Sequence, residues 1–309
     1  MDNTFKIHKY CVLHGVGGSG KTYAAVKYGY QRMQSGQNVA WLKCDSAANA
    51  ESSYRDFALG VSRYPANNGR LAAALTLPFH LVMNDIVQND IGRSFLLILD
   101  NVENYKDVEQ IVTVHTQAKC EVLITTRYSL TPTNQNQPLE SIPVILPSEQ
   151  ACVLFFQSLD VRKISTEDAK KITEACNQLP LRIHVAARYL SKNFTEPVKS
   201  YLTAVQKEKA KKVTNPDIYP EVSLSIDSLA KKNSITHQLL LLLSFLDPDV
   251  IYIALVKEWC SKAHKLTNIP MLASRKFIPK ASDFEVHVLE LEDLGLVSQI
   301  FQGSALTIH

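Results

Sequence analysis

The sequence of 309 residues predicts an α/β domain built on a parallel sheet, followed by a small helical domain and a winged-helix domain. In the first half, short strands that are apolar throughout alternate with helical patterns, which is typical of a parallel sheet covered on both faces. After residue 146 strand patterns almost stop and helical periodicity takes over. The last part ends with a helix and a short hairpin. We therefore place the domains at residues 1–146, 147–212 and 213–309.

The first domain shows a regular alternation of elements. Strands are predicted over CVLH (11–14), VAWLK (39–43), FLLILD (95–100), EVLITT (121–126) and SIPVIL (141–146). Helices are predicted over residues 21–34, 72–89 and 107–118, and a polar loop over 131–138. Right-handed crossovers would bring the loops after these strands to one edge of the sheet, where ligands bind.

The second half is predicted to be mostly helical. One helix begins after Ser148, and another begins after Ser165, whose side chain is a good N-cap with Asp168 three residues on. Three further helices are predicted between residues 221 and 264. The last helix pattern turns at Gly295 into strands over 296–301 and 305–308, which is the outline of a winged helix.

Composition predicts a protein of the reducing cytoplasm with no membrane span. The net charge of +3 is mild, so it does not favour a dedicated nucleic-acid surface. The six cysteines are scattered without a C-x-x-C pair, and Cys11 and Cys120 lie in apolar strands where a buried thiol is expected. The longest apolar run, residues 239–246, is far short of the roughly 20 residues needed to cross a bilayer.

The first predicted strand is followed by GVGGSGKT, residues 15–22, which fits the phosphate-binding pattern G-x-x-x-x-G-K-[ST] in full. Glycines let a backbone wind closely round phosphate groups, and the helix that follows adds the positive end of its dipole. The lysine of this pattern reaches the β- and γ-phosphates, and the hydroxyl of the serine or threonine after it binds Mg²⁺. We therefore predict a nucleotide-binding site formed by Gly15, Val16, Gly17, Gly18, Ser19, Gly20, Lys21, Thr22 and Tyr23.

Two polar residues follow other strands at the same predicted edge. Asp100 ends a buried strand, where a carboxylate needs a partner, and Mg²⁺ beside Thr22 would supply one. We therefore predict Thr22 and Asp100 as metal ligands. Arg127 follows the strand EVLITT and could donate charge-assisted hydrogen bonds to a γ-phosphate. Lys21, Asp100 and Arg127 are the predicted catalytic residues.

Asn101 occupies the position where a fast hydrolase of this kind usually carries a second acid. A general base contributes about 10²–10⁴ in rate, and an asparagine can position a water molecule without taking its proton. Glu103 could substitute, although we expect it to face solvent. The sequence therefore predicts at most a slow ATPase.

These motifs, in this order, resemble the NB-ARC class of STAND ATPases, which includes apoptotic protease-activating factors and plant disease-resistance proteins. The matching segments are GVGGSGKT (15–22), FLLILDNV (95–102), VLITTR (122–127), NQLPLRIHVAARYL (177–190) and ALTIH (305–309). Gln178 stands where the family prefers glycine, and the last segment resembles the approach to the family's M-H-D motif.

The resemblance implies a nucleotide-dependent switch in apoptotic or innate immune signalling, with ADP or ATP and Mg²⁺ as cofactors. The ADP form would be closed, and the ATP form would open and self-associate. Pro180 would lie against the adenine, Arg127 would sense the γ-phosphate, and His309 would reach the β-phosphate of ADP and lock the closed form. Because the chain begins near its first strand and stops at the I-H pair, we expect effector and sensor domains outside this sequence.

Two alternatives remain open at this point. A motor-type ATP-driven enzyme predicts rapid turnover and an acid at position 101. A DNA-binding regulator would use the winged helix, and the basic residues near it keep that hypothesis alive: Lys262, Lys265, Arg275, Lys276 and Lys280. A small-molecule kinase is less favoured, since no arginine-rich lid is evident. We interpret the chain as the core of a switch.

Overall fold

The computed structural model describes residues 1, 9–61, 95–117, 120–128, 141–159, 161, 164–193, 195–211, 219–246, 251–263, 279–280, 282–300 and 305–308. The chain divides into two compact units, Met1–Ile145 and Leu146–His309. The helix predicted over 72–89 and the loop predicted over 131–138 lie outside the described residues.

The described residues of the first unit alternate strands and helices. Its strands are β1 (Tyr10–His14), β2 (Asn38–Lys43), β3 (Phe95–Asp100), β4 (Glu121–Thr126) and β5 (Ser141–Pro143). Its helices are α1 (Lys21–Gln34), α2 (Ala47–Val61), a 3₁₀ turn (Tyr105–Asp107) and α3 (Glu109–Gln117). The bounds of α1, β3 and β4 are those predicted from the sequence.

The five strands form one parallel sheet in the order β2-β3-β4-β1-β5. This confirms the parallel α/β prediction. Strand β4 lies between β1, which leads into the glycine-rich loop, and β3, which ends in Asp100. The carboxyl ends of all three strands therefore meet at one edge of the sheet.

Alternation along the central strands explains why they are apolar at every position. Leu96 and Ile98 belong to the core beneath α1, whereas Leu97 and Leu99 belong to the opposite core, which includes residues of α2 and α3. Successive side chains of a strand point to opposite faces, so a sheet covered on both sides needs an uninterrupted apolar run.

Two details of the first unit differ from the prediction. Strand β5 ends at Pro143 rather than at residue 146; after it, the Val144 N–H donates to the His14 carbonyl at 2.8 Å and the pairing stops. Helix α2 was not predicted, although buried Ala50, Tyr54 and Ala58 recur every four residues along it. That spacing is the signal that could have identified it.

The second unit is helical and ends in a small antiparallel sheet. Its helices are α4 (Glu149–Ser158), α5 (Thr166–Ala175), α6 (Pro180–Lys192), α7 (Val198–Lys211), α8 (Pro220–Lys232), α9 (Ser234–Leu243), α10 (Ile253–Ala263) and α11 (Phe284–Asp293). The predicted caps are confirmed, because Ser148 Oγ accepts from Ala151 N and Ser165 Oγ accepts from Asp168 N.

A hairpin follows α11, as the sequence predicted. Strand β7 (Val297–Ile300) pairs antiparallel with β8 (Ala305–Ile308), and the short strand β6 (Ile251–Tyr252) pairs with the other side of β8. Gly295 makes the turn before β7 with φ 68°, in the left-handed region. A Cβ atom there would lie 3.2 Å from the His184 ring, so the turn also requires glycine for space.

A buried ion pair joins the helices before and after residues 212–218. The Arg182 guanidinium donates from Nε and Nη2 to the two carboxylate oxygens of Glu221 at 3.0 and 2.7 Å. Arg182 also donates to the Ala175 carbonyl at 2.8 Å. Helix α8 contributes to two apolar cores, through Leu224 on one side and Leu229 on the other. The second unit is therefore tied together through the first turn of α8.

All six cysteines are buried free thiols, as expected for Cys11 and Cys120. In the first unit, His115 is 2% exposed and its Nε2 lies 2.7 Å from the Tyr54 hydroxyl. Its Nδ1 is buried without a partner. Burial lowers the pKa of His115 to about 4, because the charged ring would lose its hydration.

We expect the stability of the protein to fall between about pH 6.5 and pH 4 because of His115. The unfolded chain binds a proton at the ordinary histidine pKa, whereas the folded ring stays neutral until pH 4, so acid favours unfolding. The difference in pKa corresponds to about 3 kcal/mol. Urea denaturation at several pH values measures this contribution.

The substitution His115→Gln should remove this part of the pH dependence, and His237→Gln, in the second unit, should leave it unchanged. An unchanged pH profile in His115→Gln would show that another group carries the effect.

Candidate nucleotide-binding site

The loop between β1 and α1 has a backbone that only glycine adopts easily. Gly18 and Gly20 have φ values of 74° and 93°, and Gly20 is the N-cap of α1. A side chain at either position would force a strained left-handed conformation. The sequence GVGGSGKT therefore folds into a tight turn that delivers Lys21 and Thr22 to the first turn of the helix.

Lys21 folds back over this loop. Its Nζ donates to the carbonyls of Gly15 and Val16 at 2.8 and 2.9 Å, and its side chain is largely buried. Burial lowers the pKa of Lys21; the nearby charge of Arg127 lowers it further, and Asp100 opposes the change. These electrostatic effects agree with the strand order, which brings the carboxyl ends of β1, β4 and β3 to the same edge of the sheet.

Asp100 is the centre of a short hydrogen-bond chain across the sheet edge. Its Oδ1 accepts from the Thr22 hydroxyl at 3.0 Å and from the Thr125 hydroxyl at 2.5 Å. Thr125 Oγ1 in turn accepts from the Asn101 N–H at 2.9 Å. The structure thus brings the predicted pair Thr22 and Asp100 together, and adds Thr125, which sequence reasoning missed.

The residues after β3 and β4 differ in exposure. Asn101 is half-buried with φ 61°, a left-handed conformation that asparagine tolerates better than most residues. Glu103 is exposed, as expected from the sequence. Arg127 is exposed at the end of β4, next to the exposed Tyr128. The half-buried side chain directly after Asp100 is therefore an amide and not a carboxylate.

These residues fit a nucleoside phosphate with Mg²⁺. The side chain of Ser19 is 5% exposed and its Oγ is buried without a partner, so the loop keeps an unsatisfied polar atom. Thr22 and Asp100 present two oxygen atoms side by side, the ligand type that Mg²⁺ prefers, and these two residues would hold the ion. Among the described residues no group of three or more His, Cys, Asp or Glu could hold a metal by itself.

A parallel sheet in this strand order, a glycine loop that leads into a helix with Lys-Thr, and an aspartate one strand away define a P-loop NTPase domain. The model of the NB-ARC domain matches residues 4–163, about half of the chain. The chain therefore belongs to the NB-ARC family.

A solved structure with a TM-score above 0.5 shares this fold. A Pyrococcus horikoshii signal transduction ATPase with numerous domains (STAND), which carries a tetratricopeptide repeat sensor, has a TM-score of 0.55 at 15% identity. The match covers 99% of this chain and 40% of that protein. A Walker-type ATPase of Pyrococcus abyssi has a TM-score of 0.45 at 11% identity, over 99% and 90% of the two chains. Comparison with curated proteins gave no significant match.

The other predicted site residues are placed as follows. Val16 and Tyr23 are exposed at the two ends of the loop, with 57% and 74% of their surface accessible. Pro180 is the first residue of α6, in the second unit, a position where proline is common. Its contact with adenine stays a prediction. His309 lies outside the described residues, so its role as a lock also stays a prediction.

The basic residues near the hairpin receive little support as a nucleic-acid surface. Lys262 is paired with Glu258, and Lys280 is exposed, while residues 265, 275 and 276 lie outside the described part of the chain. Helix α11, directly before the hairpin, carries four acidic residues and no lysine or arginine. Such a helix would repel phosphates. In the part of the chain that the structure describes, no helix is long and apolar enough to span a membrane.

The segment before Pro180 has a left-handed backbone at two residues. Asn177 and Gln178 both have positive φ, at 52° and 56°, where the chain leaves α5. Glycine, which the resemblance leads us to expect at position 178, adopts this conformation without a Cβ clash, whereas glutamine is strained there.

We expect Gln178→Gly to raise the free energy of unfolding by about 0.5–1 kcal/mol, the left-handed strain less the entropy of glycine. The matched variant Gln178→Ala keeps a Cβ and should bring no comparable gain. Denaturant titration of both variants makes the comparison. Equal stability of the two variants would show that the backbone at this position is not strained.

Proposed function

We propose that this protein is a nucleotide-dependent switch that binds ADP in a closed form and ATP in an open, self-associating form, with slow hydrolysis between them. The proposal rests on the grouping of Lys21, Thr22 and Asp100 at the carboxyl edge of the sheet. Next to Asp100, Asn101 stands where a fast hydrolase usually has a second acid. Such an edge holds a nucleotide well and activates water poorly.

The P-loop geometry supports a role for both Mg²⁺ and phosphate. Thr22 and Asp100 would hold Mg²⁺, which neutralises charge on the β- and γ-phosphates when bound. Lys21 would exchange its two carbonyl partners for phosphate oxygens, which accept stronger, charge-assisted hydrogen bonds.

Discrimination between ATP and ADP requires a group that contacts only the γ-phosphate, because a ligand shifts an equilibrium only through differential affinity. Arg127 is the proposed group. It is exposed, and it follows Thr126, which pairs in register with His14, the residue before the phosphate loop. In the second unit, Pro180 and His309 are the proposed contacts to adenine and to the β-phosphate of ADP, as the family resemblance implies.

We further propose that the region from α8 to β8 is a winged-helix domain. Among its described residues, four helices and a three-stranded antiparallel sheet share one core, which supports this interpretation. The proposed partners are adenine nucleotides and other copies of the chain, and the signalling context implied by the family, cell death or immunity, belongs to the same proposal.

The first prediction is that the purified protein retains ADP. Denaturation followed by chromatography of the released nucleotide should give close to one ADP per chain, because a closed switch exchanges slowly. Lys21→Ala should release almost none. A wild-type protein that purifies without nucleotide and turns over added ATP rapidly would contradict the switch.

The second prediction concerns Arg127. Arg127→Ala should weaken binding of a non-hydrolysable ATP analogue roughly tenfold to a hundredfold, since a hydrogen bond to a charged group contributes about 1.5–3 kcal/mol. ADP affinity should change less than about twofold. Calorimetric titration of both nucleotides measures the difference.

The matched control is Lys27→Ala, which removes the same charge from an exposed position of α1. It should change neither affinity. If Arg127→Ala weakened ADP and the ATP analogue equally, Arg127 would not be the group that distinguishes them.

A further inference from the structure

Thr125 lies beside Asp100 because of the register of two parallel strands. The pairing of β3 with β4 runs to Leu99 and Ile124, the residues directly before Asp100 and Thr125. Neighbours in register point to the same face of a sheet. Here that face is the one covered by α1, from which the Thr22 hydroxyl also donates to Asp100. Two hydroxyls from different segments therefore meet at one carboxylate oxygen.

The hydrogen of the Thr125 hydroxyl has one possible direction. The Asn101 N–H can only donate, so Thr125 Oγ1 accepts from it at 2.9 Å. The single hydroxyl hydrogen is then directed to Asp100 Oδ1 at 2.5 Å, because an ionised carboxylate only accepts. In addition, the Val102 N–H donates to the Thr125 carbonyl at 2.9 Å. Thr125 thus holds both the Asp100 carboxylate and the backbone of the two residues that follow it.

Burial and stiffness suit Thr125 to this task. The residue is 1% exposed, so water does not compete for its hydroxyl. A β-branched side chain is restricted at χ1, and strand β4 is enclosed between β1 and β3. The direction in which the hydroxyl donates is therefore well defined, and so is the position of the oxygen that accepts.

We propose that Thr125 is the positioning residue of the metal site: its hydroxyl orients the Asp100 carboxylate for Mg²⁺, so that tight binding of a nucleotide with Mg²⁺ depends on it. The inference rests on the proposed nucleotide-dependent function. Hydrogen bonds from outer groups fix the orientation of a ligating side chain, and their loss typically costs about 10- to 100-fold in metal affinity. Thr125 acts through Asp100 and is itself neither a metal ligand nor a catalytic residue.

The test is calorimetric titration of the full chain, freed of bound nucleotide, with the β,γ-methylene analogue of ATP. Each titration is made once with Mg²⁺ and once with EDTA, and the wild type should bind more tightly with Mg²⁺. In Thr125→Val, which keeps the branched shape and loses the hydroxyl, the affinity with Mg²⁺ should fall about 10- to 100-fold. The affinity in EDTA should stay close to that of the wild type, because Lys21 and the glycine loop are unchanged.

Two smaller variants separate the hydroxyl from the packing of the strand. Thr125→Ser and Thr125→Ala differ by one oxygen atom. Serine should restore most of the Mg²⁺-dependent affinity, and alanine should not. This comparison also decides the question if valine disturbs folding.

The matched control is Thr126→Val, which removes a buried hydroxyl from the next position of β4. Thr126 Oγ1 accepts from the Tyr128 N–H at 3.1 Å. Successive side chains of a strand point to opposite faces, so this hydroxyl lies on the face away from Asp100. The increase in affinity on adding Mg²⁺ should therefore match that of the wild type.

The possible failures are distinct. An unchanged effect of Mg²⁺ in Thr125→Val and Thr125→Ala would overturn the assignment of Thr125, and so would wild-type binding that Mg²⁺ does not strengthen. An equal loss of affinity with Mg²⁺ and with EDTA would also overturn it, because the role would then be purely structural. A wild-type chain that binds no adenine nucleotide under either condition would instead overturn the proposed function.

Discussion

The site depends on one carboxylate, Asp100, at the end of a strand buried on both faces. Such a group is tolerated only if its charge is compensated, and here two hydroxyls donate to the same oxygen. One comes from the first turn of α1 and the other from β4, the strand that separates β1 from β3. The hydrogen bonds therefore fix the glycine loop, the central strand and the turn after β3 relative to one another.

Much of this arrangement could be predicted from the sequence. The strands were predicted from uninterrupted apolar runs, because a sheet covered on both faces buries every side chain of its central strands. Lys21, Thr22 and Asp100 could be predicted because each belongs to a short contiguous motif that is recognisable in the sequence. Thr125 did not follow, since its hydroxyl matters only once β4 is known to lie beside β3.

Features that join distant segments were beyond the reach of sequence patterns. Tyr54 and His115 are 61 residues apart, and Arg182 and Glu221 are 39 apart. In the sequence, each of these four residues is simply a polar residue on a helix. Their burial arises from helix packing, which periodicity indicates only as a face and not as a partner. The left-handed residues Asn101 and Gln178 belong to the same category, because neither residue type requires that conformation.

The ion pair between Arg182 and Glu221 has a consequence for how the second unit folds. The sequence predicts a domain boundary between residues 212 and 213. The ion pair nevertheless joins helices on the two sides of this boundary, and α8 contributes residues to both apolar cores. Removing one partner of a buried pair typically costs about 3–5 kcal/mol, because a charge is left uncompensated. A chain cut within residues 212–218 would leave such a charge in each fragment. The two cores are therefore expected to melt as a single cooperative transition, so neither half is an autonomous folding unit.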